Sequence, residues 1–214
     1  MTYARLAVVS LLGACATAGS FQTAHTVGPG GWEVGADASV LGIVDLSGDL
    51  PYLVLPRVAG RVGVSERTEL GASVGLDGVK LGPRVQLTNI DDEGVVVTAG
   101  LSGKVLPLPT PEQSGVLVGA EESVYVGLPT SPESQLVLVG RAAQDVGFVD
   151  GNQATLVWTG GAVGWSWSPD GLFRLMPEIG AMVPVVVIDD GGGNSGLDGG
   201  TVQVGLGFAY GQRR

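Results

Sequence analysis

From Trp32 onward the chain alternates between apolar residues on one face and small or charged residues on the other, and strand geometry turns that alternation into two separate surfaces. Residues 53–64 place Val54, Pro56, Val58, Val62 and Val64 opposite Arg57, Ala59, Arg61 and Gly63. Residues 68–76, 79–88, 95–104, 173–185 and 201–210 repeat the pattern, with Glu69, Lys80, Arg84, Lys104, Arg174 and Glu178 on the second face among glycines and serines. Of the 11 basic residues, seven (Arg57, Arg61, Lys80, Arg84, Lys104, Arg141 and Arg174) fall in mid-strand, where Glu33, Asp37, Glu69 and Glu178 share their face. A water-facing sheet surface would use long polar side chains without so many of the 37 glycines. Charges mixed with small residues suit the crowded inside of a closed barrel, and a continuous apolar face suits lipid.

Segments 32–44, 116–128, 135–143 and 154–167 complete a set of about ten strands. Glu121-Glu122 and Gly160-Gly161 are expected to be bulges that shift the alternation by one. Dividing residues 31–214 by ten leaves roughly eighteen per strand and connection, enough for a tilted membrane strand and its turn. Seven of the aromatic residues, Trp32, Tyr125, Trp165, Trp167, Phe173, Phe208 and Tyr210, fall at strand ends assigned to the periplasmic side and are expected to form an interfacial girdle there. The expected fold is all-β: a closed antiparallel transmembrane barrel of about ten strands over residues 32–214, following an N-terminal signal and linker.

Residues 1–14 combine Arg5 with the apolar run 6–14, too short for a spanning helix and suited to a secretory signal peptide. Its end, Leu12-Gly13-Ala14-Cys15, resembles the lipobox of bacterial lipoproteins. That resemblance implies cleavage before Cys15, acylation of the new N-terminal Cys and, with Ala16 next, an outer-membrane destination. Residues 15–31, rich in small residues, Gly and Pro, are expected to be the lipidated N-terminus and a solvated linker, with His25 in water. The chain as a whole resembles small bacterial outer-membrane β-barrel proteins. The stretch from Phe21-Gln22-Thr23-Ala24 to Trp32-Glu33-Val34-Gly35 is similar to the opening segment of members that also carry a lipobox.

Composition narrows the function. A net charge of −10 argues against nucleic acid as a partner, and one Cys with one His excludes an internal disulfide and the usual zinc sites. No cofactor is expected. Barrel proteases, acyltransferases and deacylases place a His at the site, whereas the single His here lies in the expected linker, so no enzymatic activity is expected. Asp91-Asp92, Glu121-Glu122 and Asp189-Asp190 are expected to be solvated carboxylate pairs. The Asp189–Asp198 loop has oxygen ligands for calcium but lacks the helical calcium-loop spacing, so no metal site is assigned.

The leading expectation is a monomeric, lipid-anchored outer-membrane barrel with a charged lumen. It would serve as a narrow passive channel for a small solute or as a structural barrel, with outer-membrane lipid as its other partner. Two alternatives stay open: an adhesin or binding module acting through acidic outer loops, and a soluble periplasmic β-sandwich lipoprotein.

Overall fold

The computed structural model describes residues 21–45, 52–88, 94–109, 114–149, 152–189 and 199–212. The expected signal peptide, Cys15 and most of the Asp189–Asp198 loop lie outside them, as does the Asp91-Asp92 pair. The strands are β1 (Trp32–Asp45), β2 (Tyr52–Gly63), β3 (Thr68–Gly75), β4 (Gly78–Gln86), β5 (Val96–Pro109), β6 (Ser114–Ser131), β7 (Ser134–Val149), β8 (Asn152–Trp167), β9 (Phe173–Asp189) and β10 (Gly199–Gln212). Each pairs antiparallel with its sequence neighbours, and β1 pairs with β10 from Trp32↔Gln212 to Asp45↔Gly199, closing a ten-strand barrel. Closure removes both sheet edges and satisfies the strand amides internally, which a lipid environment requires. A two-sheet sandwich is therefore excluded.

The alternation fixes which way each strand faces. Val54, Val58, Val74, Leu81, Ile179, Val183 and Val204 are exposed on the outside, whereas Arg57, Arg61, Lys80, Arg84 and Arg174 are buried inside. Strands β5 to β8 run further than their alternation suggested. β5 reaches Pro109 and β7 reaches Val149, into stretches expected as loops. The β3–β4 connection is a tight hairpin in which Gly78 takes φ +103°, a conformation that L side chains avoid. At the other rim Asp170 closes the β8–β9 turn. Its carboxylate accepts the Phe173 and Leu172 amides at 2.7 and 2.9 Å, which holds it below the ordinary carboxylate range.

Two expected bulges are absent. The β6–β7 register is unbroken through Glu121↔Ala143 and Glu122↔Ala142, and β7–β8 is unbroken through Gly140↔Gly161. The irregularities fall instead between Pro129 and Ser131, and on β9 opposite Val157/Trp158. With no slip in β6, Glu121, Ser123 and Tyr125 all point inward. Tyr125 is thus a lumen residue and leaves the expected girdle. Trp32, Trp165, Phe173, Phe208 and Tyr210 face outward near the rim formed by Trp32 and Gln212, called the near rim below, and Trp167 is half-buried there. Trp32 and Tyr210 meet edge to face at 6.0 Å.

Val183 faces outward at the level of Thr159, half-way along the barrel wall. Val183→Arg is expected to destabilise the inserted barrel by about 2–4 kcal/mol, whereas Tyr210→Arg, at the near rim, is expected to cost about 0–1 kcal/mol. Urea titration of folding into vesicles checks the difference; equal costs would contradict the depth assignment.

Candidate functional site: the lumen and its inserted segment

An eight-strand barrel is just filled by its own side chains, so a ten-strand barrel has room left over. Here the chain itself occupies that room. Residues 21–31, expected as a solvated linker, run inside the near half of the lumen. Phe21, Thr23, Ala24, Thr26 and Val27 are buried and His25 is half-buried. The segment leaves at the near rim through Gly28 and Gly30, at φ 72° and 69°, where the Gly30 amide donates to the Gly63 carbonyl and the Gly63 amide to the Gly31 carbonyl. A Cβ on Gly63 would lie 1.5 Å from the Gly28 carbonyl oxygen, so only glycine allows this approach.

The wall holds the segment through its backbone. Arg84 Nη2 donates to the Thr23 carbonyl at 2.6 Å, Arg61 Nη1 to the His25 carbonyl at 3.1 Å, and the Thr98 hydroxyl to the Ala24 carbonyl. In the other direction the Phe21 amide donates to Glu178 Oε2 at 3.0 Å, Val27 to Glu69 Oε2 at 3.0 Å and Thr26 to Gln86 Oε1 at 3.3 Å. The Thr23 hydroxyl accepts from Arg61 and Arg174. Ala24 sits in a small apolar cluster with Val96, Tyr125, Val137 and Met176, and Phe21 fills the space over Gly205 and Gly207. An extended segment without a sheet partner would leave its amides and carbonyls unpaired in a closed interior, and these side chains supply the missing partners.

The charged side chains form a connected set. Glu69 is fully buried and receives Arg61 at 3.1 Å and Arg84 at 2.7 Å. Glu33 pairs with Arg61 at 2.9 Å and also with Arg174. Toward the far rim, Arg57 meets Asp37 at 3.0 Å, Lys80 meets Asp77 and Glu121 at 3.3 Å each, Arg141 meets Glu121 at 3.5 Å and Lys104 meets Asp145 at 2.8 Å. Among the described residues the buried charges balance. There are seven bases (Arg57, Arg61, Lys80, Arg84, Lys104, Arg141, Arg174) and seven carboxylates (Glu33, Asp37, Glu69, Asp77, Glu121, Asp145, Glu178). Charges taken out of water are tolerated when paired in this way. Beyond them the far half contains buried Leu41, Leu55, Leu117, Leu156, Trp158 and Met182. Two interior cavities have volumes of about 70 and 20 Å³, sufficient for a few water molecules.

Arg57, Arg61, Glu69, Lys80, Arg84, Lys104, Arg141, Arg174 and Glu178 are buried inside the barrel, with partnerships that differ from a simple base–acid pairing. Glu178 accepts the Phe21 amide, and Arg61 and Arg84 divide their donors between Glu69 and the inserted backbone. Sequence reasoning left out Asp77, Glu121 and Asp145. Glu121, expected as half of a solvated pair, is an inward ion-pair partner, and unbroken parity along β6 was the signal that could have placed it. Tyr125 stacks its ring under the Arg84 guanidinium, 4.2 Å from carbon to centroid.

No family model matches the chain, and no curated protein matches it in sequence. Solved structures of similar shape are bacterial outer-membrane barrels. Neisserial surface protein A (NspA) is 12% identical, with a TM-score of 0.47 over 84% of this chain and 96% of that one. Ail, the attachment invasion locus protein of Yersinia pestis, is 11% identical with a TM-score of 0.46, covering 85% and 98%. The outer membrane protease OmpT from Escherichia coli is 8% identical with a TM-score of 0.44, covering 86% and 97%. At such identities the likeness is one of fold alone. The expectation that the chain is not an enzyme nevertheless does not stand, since a protease is among the barrels of similar shape. The argument from a solvated His25 falls as well, because that residue lies within the lumen.

Glu69 joins three strands' worth of contacts to the inserted segment, so its loss is informative. Glu69→Ala would take an ion-pair partner from both Arg61 and Arg84 and unpair the Val27 amide, and is expected to destabilise the barrel by about 3–5 kcal/mol. Glu69→Gln, which still accepts hydrogen bonds, should lose less. Denaturant unfolding in detergent micelles measures both, and indistinguishable stability of the alanine variant and the parent would contradict the arrangement.

Proposed function

We propose that the protein is an outer-membrane β-barrel, further anchored through Cys15, whose lumen is closed by its own residues 21–31. In the resting state it serves as a structural barrel, and it passes small solutes only when that segment is displaced. Residues 21–31 bonded inside the barrel wall carry this reading. An interior whose buried charges balance gives no continuous field along which ions of one sign would be drawn, unlike a water-filled porin lumen lined by charge. The apolar outward face and the aromatic residues at the near rim support a membrane setting, with the near rim on the periplasmic side. Adhesion through acidic outer loops would rest on residues outside the described ones.

Planar-bilayer recording of the purified full chain tests the proposal. The parent is expected to be silent or to conduct only in rare, brief openings. Deleting residues 21–28 should give steady conductance, provided heat-modifiable gel migration shows that the barrel still folds. Replacing Arg57 and Arg61 together by Ala should shift what conductance appears toward cations, because Asp37, Asp77, Glu33 and Glu69 each lose one of the basic groups beside them. A parent that conducts like a wide porin, or a folded deletion variant as silent as the parent, would overturn it.

A further inference from the structure

Among the described residues, the outward face away from the rims is apolar except in one place. On β6 the outward positions run Val116, Val118, Ala120, Glu122, Val124, Val126, Leu128, with a carboxyl group at the centre. Gln144 on β7 and Thr159 on β8 also face outward, and the three polar residues surround Ala142, which stands opposite both Glu122 and Thr159. The side chains of Glu122 and Gln144 have no hydrogen-bond or ion-pair partner among the described residues. The Thr159 hydroxyl donates to the Arg141 carbonyl at 3.3 Å.

Depth makes this group informative. Leu128 is level with the near-rim Trp165, through Leu136 on the strand between them. Glu122 is six residues further along, about 20 Å of strand and about 15 Å of height at the usual tilt, close to the middle of the apolar band. Ionisable groups at that depth are costly and face a polar partner where they persist. Acyl chains offer no donor, and lipid headgroups lie at the surfaces. A second copy of this chain, inserted in the same sense, presents the same group at the same depth. Its surface carries its own complement: a carboxyl that accepts and a side-chain amide that donates. Small residues beside it, Ala120, Gly140, Ala142 and Gly161, let two walls approach closely.

We propose that this patch is a self-association surface. Two barrels meet about a twofold axis parallel to the membrane normal, so that Glu122 of each copy takes a hydrogen bond from the Gln144 amide of the other, as an isologous contact requires. The inference rests on the membrane reading above and replaces the expectation of a monomer drawn from sequence.

Fluorescently labelled full-length protein in phosphatidylcholine vesicles, with bleaching steps counted per particle over a range of protein-to-lipid ratios, tests it. Heat-modifiable migration is checked first; a chain that fails to insert contradicts the membrane reading, whereas an inserted chain tests the pairing alone. The parent is expected to be dimeric, and Glu122→Val to weaken pairing by about tenfold or more, the effect of two lost intramembrane hydrogen bonds. Glu122→Gln, which can both donate and accept, should retain pairing, and Val40→Leu on the opposite wall should not change it. An inserted parent that stays monomeric at every density, as when lipid or another protein occupies the patch, overturns the proposal. So does a Glu122→Val variant that pairs as tightly as the parent.

Discussion

Glu69 links the barrel wall to the chain inside it. Fully buried, its carboxylate takes Arg61 from β2, Arg84 from β4 and the Val27 amide from the inserted segment. A lone carboxylate there would be expelled or neutralised, and two guanidinium groups without it would repel each other. With all three present, neighbouring strands are tied across the lumen and the segment gains a fixed depth. Arg61 then reaches Glu33 and Arg84 reaches the Thr23 carbonyl, so the near half of the barrel follows from one buried charge and its partners.

The outside obeys a simpler rule. Lipid tolerates no unpaired backbone group, so the sheet must close, and each strand must show lipid an apolar row. Ten strands then leave a lumen wider than side chains alone fill. The protein resolves the mismatch with long ion-paired side chains, a far layer that includes Leu41, Leu117, Leu156 and Trp158, and a near plug made of its own backbone. Glycines at 63, 205 and 207 are among the sites where the plug and wall come too close for a side chain.

Parity was readable from the sequence because strand side chains repeat every two residues: Arg57 and Arg61 could be assigned inward and Val54 and Val58 outward without coordinates. Where one residue decided the face, the reading failed. A supposed slip at Glu121-Glu122 put Tyr125 in the girdle and left Glu121 in solvent, yet an unbroken register sends both inward and leaves Glu122 facing out. The inserted segment was not readable at all. Phe21 to Gly31 has no periodicity, and much of what holds it is bonding to its amides and carbonyls, which any residue type provides. Its small size and its glycines looked like freedom in solvent, when they serve close fit inside a tube.

The central claim is that residues 21–31 form part of the folded interior. Residue-resolved hydrogen exchange on the folded protein in micelles tests it most directly, through the amides of Phe21, Thr26 and Val27 bonded to Glu178, Gln86 and Glu69. Protection of these three amides approaching that of the barrel strands is the predicted result. Exchange at the rate of an unstructured peptide, with the strands themselves protected, would show the segment to be in solvent and would contradict the account.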